Sequence, residues 1–151
     1  GCGYGFFDIP FRRLGLLSTK HQFGHGYDGG LDALDQIHNF HAELIAQMAD
    51  RLSMIPEGDG SMLDHTLIVW TNENGGQHHS DYRRWPDVLL GGQATGLRTG
   101  RYIRFPDQGL MGARTLADLW STLTHLLGAP RDDFGAAGLE PSNGPIQNLV
   151  M

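Results

Sequence analysis

The stretch from Trp70 to His79 is the strongest candidate for chemistry, since Glu73, His78, His79 and two glycines directly follow an apolar run. Glutamate oxygens and imidazole nitrogens are ordinary ligands for zinc and similar divalent ions, and glycines let a loop bring both to one centre. Ligands of open α/β sheets bind beyond the carboxyl ends of the strands. The stretch therefore predicts a metal or catalytic site, with a solvated polar loop as the alternative.

A second candidate is the pair His21 and His25, four residues apart in a glycine-rich segment. On a helix this spacing would place both imidazoles on one face. Gly24 and Gly26 disfavour a long helix here, but a loop can still bring the two rings together. The alternative is that each imidazole only makes a backbone hydrogen bond at a turn.

For His38, His41, His65 and His125, the sequence pattern favours structural roles. His38 and His41 lie on or beside the apolar stripe of a predicted helix, where a neutral imidazole in the core is more common than a ligand. His41 is in phase with the apolar residues and is expected to point inward. His65 precedes a predicted strand and His125 lies in a leucine-rich helix, and both are interpreted as structural.

The elements that must position these side chains follow from hydrophobic periodicity. Three- and four-residue spacing of apolar residues predicts helices over 31–54 and about 114–127, and Gly128 is placed to end the second one. Residues 66–71 are uniformly β-branched or apolar, which favours a parallel-type strand covered on both faces. Residues 86–92 predict a second strand ending in a glycine turn. Alternating strands and helices indicate α/β layering.

Two further segments are predicted less specifically. Residues 97–105 resemble a basic hairpin, and residues 129–151, with three prolines and several glycines, predict an ordered tail or loop.

Composition excludes several classes of protein. The chain has 151 residues and a net charge of −6, so it is long enough for one domain and a poor candidate for binding nucleic acid. Its single cysteine, Cys2, excludes an intrachain disulfide and a thiolate zinc cage. The longest apolar runs are far shorter than the roughly 20 residues of a membrane span. Triad-hydrolase, phosphate-loop and dinucleotide motifs do not occur.

Much of the chain resembles the C-terminal half of a bacterial domain-of-unknown-function family, number 1552. The pair His21 and His25 followed by a long helix resembles the histidine-containing segment of that family. The other matching segments are residues 57–73, His79, 86–92, 97–102, 127–135 and 144–146.

That family is similar to the alkaline phosphatase and sulfatase superfamily, so the resemblance implies an α/β fold and one or two bound divalent metals. The chain would form the C-terminal portion of an alkaline-phosphatase-like layered sheet with flanking helices. The implied metal ligands are His21, His25, Glu73 and His79, with His78 as the competitor for the last place. Zinc is the expected metal, with manganese or iron as alternatives.

The resemblance implies a metal-binding, hydrolase-like protein acting on phosphate or sulfate esters of small molecules or polymers, and an extracytoplasmic location. The superfamily's nucleophile lies on an earlier strand, so residues 1–151 are expected to be a single domain or the C-terminal part of a larger one. The rival hypothesis is a non-catalytic exported scaffold or interaction protein of the same fold. A third is a free-standing small zinc protein.

Overall fold

A computed structural model describes residues 10–72, 84–107, 109–132, 134 and 144–151 of the chain. Contacts divide the chain into two compact units, residues 1–51 with 71–86 and residues 52–70 with 87–151. The described residues combine helices with two small sheets, as expected for a mixed α/β chain.

The first unit is built on helices α1, Lys20–Gly24, and α2, Gly30–Ser53. Helix α2 corresponds to the helix predicted over 31–54, and it ends before Pro56 because proline disfavours helical backbone in the residue that precedes it. Short 3-10 helices occupy Arg12–Leu14 and Tyr27–Gly29. Phe23 of α1 packs with three buried residues of α2, which are Ala33, Leu34 and Ile37.

Among the described residues, four short strands form two sheets of two strands each, β1 (Pro56–Glu57) with β2 (Gly60–Ser61) and β3 (Leu67–Thr71) with β4 (Asp87–Gly91). The prediction of a parallel-type strand covered on both faces is wrong for β3. It pairs antiparallel with β4, Ile68 is its only buried residue, and Thr71 is exposed.

Gly91 shows why the end of β4 meets the start of β3. Its φ of 73° is left-handed, and a Cβ at this position would overlap the carbonyl oxygens of Leu63 and Thr66. Only glycine allows that close approach. The strand ends at Gly91 and Gly92 follows with a left-handed φ of 70°, which confirms the glycine turn expected at the end of the second strand.

Helix α3, Leu116–Leu126, forms the core of the second unit and corresponds to the helix predicted over about 114–127. Leu119 and Leu123 pack with Ile146, and side chains of β3 and β4 complete the cluster. Gly128, with φ 73°, follows the helix in the expected left-handed conformation.

The prediction of a hairpin over 97–105 is wrong. Leu97 instead makes an isolated antiparallel bridge with Val150, and residues 98–106 belong to no helix or strand. The Arg98 amide donates to the Leu149 carbonyl, so the segment pairs with the end of the chain and not with itself. In the predicted tail, residues 147–149 form a 3-10 helix next to the buried Ile146.

Candidate metal centre

Helix α1 is short, and its N-terminus is fixed by a reciprocal capping box. The Gln22 amide donates to Thr19 Oγ1 at 3.2 Å, and the Thr19 amide donates to Gln22 Oε1 at 2.9 Å. Phe23, only 1% exposed, anchors the helix in the first core. A five-residue helix is not stable alone, so the cap and this one buried ring hold it in place.

The helix brings His21 and His25 together. Their Nε2 atoms lie 3.1 Å apart, and their rings meet edge to face with centroids separated by 4.6 Å. His21 is half-buried and His25, directly after the helix, is exposed. As expected from the glycines, no long helix forms here; the capping box supports a single short helix, and it is this turn that brings the two rings together.

The separation of the two nitrogens fits two kinds of arrangement. In the neutral pair, one Nε2 donates a hydrogen bond and the other accepts it. Alternatively, both lone pairs point at one cation. A metal bound about 2.0–2.1 Å from each nitrogen separates cis ligands by about 2.9 Å in octahedral geometry and about 3.4 Å in tetrahedral geometry. The observed 3.1 Å lies between these values.

The other predicted ligands, Glu73 and His79, and the competitor His78 lie outside the described residues. The structure does place the end of β3 at Thr71, two residues before Glu73. Within the described part of the chain, no three histidine, cysteine or carboxylate side chains gather closely enough to hold an ion. The described half of the proposed centre is therefore the pair His21 and His25.

His38 and His41 form a second imidazole pair, one turn apart on α2. Both are half-buried, and the His41 ring meets Phe11 edge-on at a centroid distance of 5.6 Å. Burial lowers the pKa of both imidazoles, and the positive charge of Lys20 lowers each pKa further. Asp35 opposes this effect at His38. Both side chains therefore favour the neutral form, as expected for imidazoles at the edge of a core.

Lys20 is a charged neighbour that sequence reasoning missed. It precedes Phe23 by three residues on α1, and residues at this spacing share a helix face. Because Phe23 packs against Leu34 and Ile37, the same face of α1 directs Lys20 towards α2. The signal in the sequence is a lysine one turn before a buried aromatic residue.

The two remaining histidines, His65 and His125, belong to the second unit. His125 Nε2 lies 3.0 Å from Asp132 Oδ1, so it joins α3 to the segment that follows it. His65 is exposed and its ring lies beside Gly58 in the turn between β1 and β2.

A scan of protein-family models matches none to this chain, and searches of curated proteins and of solved structures likewise find no match.

Proposed function

We propose that the chain binds a divalent metal through His21, His25, Glu73 and His79, and that it serves in the hydrolysis of phosphate or sulfate esters. The observation that carries the proposal is the 3.1 Å separation of the His21 and His25 Nε2 atoms. Zinc is the expected metal, since imidazole and carboxylate donors suit it, and manganese and iron are the alternatives. A bound metal of this kind polarises an ester oxygen and activates water.

The chain's own residues supply the support for that metal. The Thr19 and Gln22 capping box sets the start of α1, and Phe23 fixes its rotation, so the two imidazoles are positioned before any ion arrives. Such preorganisation lowers the conformational entropy that binding must overcome. The proposed fold is the C-terminal portion of an alkaline-phosphatase-like layered sheet, and the proposed location is extracytoplasmic.

The test is zinc content of the purified chain by elemental mass spectrometry, with affinity from competition against a chromophoric chelator. His25→Gln should lower zinc affinity at least about tenfold, since the loss of one of few ligands costs more than 1.4 kcal/mol. Glu73→Gln and His79→Gln should each lower it comparably. His65→Gln is the matched control, because His65 is also an exposed histidine and should leave affinity unchanged.

Zinc affinity that falls equally in His25→Gln and His65→Gln would contradict the metal centre. If zinc binds at the proposed residues but 4-nitrophenyl phosphate and 4-nitrophenyl sulfate are not turned over with zinc, manganese or iron, the hydrolase proposal fails for these esters. That second result favours a non-catalytic scaffold or interaction protein.

A further inference from the structure

The segment from Leu97 to Arg114 carries an unusual concentration of positive charge for this acidic chain. It contains four arginines and one aspartate, whereas the whole chain has a net charge of −6. Arg98, Arg101 and Arg104 are exposed, and we call residues 98–104 the arginine loop. Among the residues that the structure describes, none of these three arginines lies within ion-pair distance of a carboxylate.

Both ends of the arginine loop are fixed in the second unit. Leu97 is 1% exposed, its amide donates to the Gly92 carbonyl, and the Arg98 amide donates to the Leu149 carbonyl. At the other end, Phe105 packs against the core cluster around α3. The loop therefore leaves the core and returns to it within eight residues. A loop held at both ends loses less conformational entropy on binding than a free segment does.

Large apolar side chains accompany the arginines. Tyr102 is 88% exposed, and after the loop Leu110 is 62% and Met111 98% exposed. The chain turns back between these groups, with the Leu110 amide donating to the Asp107 carbonyl and Gly112 beside Pro106. Arginine, tyrosine and methionine are enriched at protein interfaces, and exposed apolar side chains that are bordered by charged ones are typical of interaction sites.

We propose that the arginine loop, together with Leu110 and Met111, is a docking surface for a partner protein whose contact face is apolar at its centre and rich in carboxylates at its edge. The exposed apolar groups favour a protein over a nucleic acid or a sulfated polysaccharide, because these polyanions offer phosphates or sulfates to the arginines but little aliphatic surface to Leu110 and Met111. The proposal is independent of the metal centre.

The test measures binding of a short fluorescein-labelled peptide in which leucine and phenylalanine alternate with glutamate and aspartate. A second peptide keeps the acidic residues and replaces the apolar ones with serine. The variant R98Q/R101Q/R104Q should bind the first peptide about tenfold more weakly, mainly through slower association and a weaker dependence on salt. Y102S/M111S should act mainly by faster dissociation, because it removes apolar contact.

The matched control is R12Q/R13Q/R51Q, which removes the same charge from three other exposed arginines. Its affinity for the first peptide should change less than about twofold if the effect is local. Circular dichroism checks that each variant keeps its helices.

Three results would overturn the proposal. One is equal weakening by the two triple variants, which would mean that net charge alone governs binding. Another is equal affinity for the serine peptide, or tighter binding of single-stranded DNA or heparin, which would make the surface a polyanion site. The third is that the unaltered protein binds no probe.

Discussion

Helices α1 and α3 begin with the same device and are used differently. Thr19 with Gln22 and Thr115 with Asp118 form equivalent capping boxes. Helix α1 then ends after five residues and buries only Phe23, whereas α3 continues for eleven. The comparison shows that a capping box fixes where a helix starts. The residues that follow the box determine the length of the helix, and they determine whether the helix forms a core, as α3 does, or presents two imidazoles, as α1 does.

The two regions also treat polar side chains in opposite ways. Asp118, Ser121 and Thr122 of α3 are fully buried. Thr122 Oγ1 donates to the Asp118 carbonyl and accepts from the Ile146 amide, and Ser121 Oγ donates to the Arg131 carbonyl. In the first unit the imidazoles stay partly exposed. Polar groups that hold the fold thus have fixed backbone partners, and polar groups suited to chemistry remain reachable by ligands and protons.

Leu123→Ala should produce the largest effect, because it opens a cavity in the α3 core. Leu123 is 4% exposed, and such truncations lower the free energy of unfolding by about 2–4 kcal/mol. Urea denaturation followed by circular dichroism measures it. Leu127→Ala, at a residue that is 60% exposed, is the control and should change stability by less than about 0.5 kcal/mol. Equal effects would mean that α3 is not the core of its unit.

Thr122→Val should destabilise by about 1–3 kcal/mol, because an isosteric methyl leaves the buried Ile146 amide without its acceptor. Hydrogen exchange at Ile146 should accelerate correspondingly. Thr124→Val removes a hydroxyl that donates to the Ser121 carbonyl at a half-buried position, and should have a smaller effect. If hydrogen exchange at the Ile146 amide is unchanged in Thr122→Val, the hydrogen bond to the Thr122 hydroxyl does not hold residues 144–151 against α3.

The two capping boxes can be compared directly by Thr19→Ala and Thr115→Ala. Thr115→Ala should lower the free energy of unfolding by about 1 kcal/mol, as N-cap losses generally do. Thr19→Ala should act locally, fraying α1 and separating the His21 and His25 rings, which nuclear Overhauser contacts between the rings would report. If the ring contacts persist without the Thr19 hydroxyl, the cap is not what positions the imidazoles.

The sequence predicted secondary structure well where the apolar residues repeat at helical spacing over several turns. Helices α2 and α3 repeat their apolar residues over several turns, so their positions followed directly. The direction of β3 could not be deduced, since a uniformly apolar strand has the same composition in parallel and antiparallel sheets. Helix α1 was not predicted, because Gly24 and Gly26 disfavour a long helix and one helical turn is too short to show a periodicity. The pairing of His21 with His25 was expected, while the part of the site at Glu73 and His79 remains a prediction.

The smallest expected effect is the pH dependence that His38 and His41 give to the first unit. Burial, and then Lys20, holds the pKa of each imidazole below its ordinary value of 6.5, so the unfolded chain takes up protons first as the pH falls. The stability that the neutral rings contribute is complete above pH 6.5 and is lost as the pH falls through the folded pKa values. Because both rings are only half-buried, solvent screens part of these effects, and the change should stay under about 1 kcal/mol.

Proton NMR titration of the two rings measures these pKa values directly. Lys20→Met should raise both, because it removes a positive charge that disfavours the imidazolium form, although Asp35 already offsets part of that charge at His38. Arg51→Met, near the far end of α2, is the control and should leave both pKa values unchanged. If Lys20→Met moved neither pKa, Lys20 would not contribute to the charge state of this pair. Burial, Asp35 at His38 and the His38 ring at His41 would then be the remaining causes.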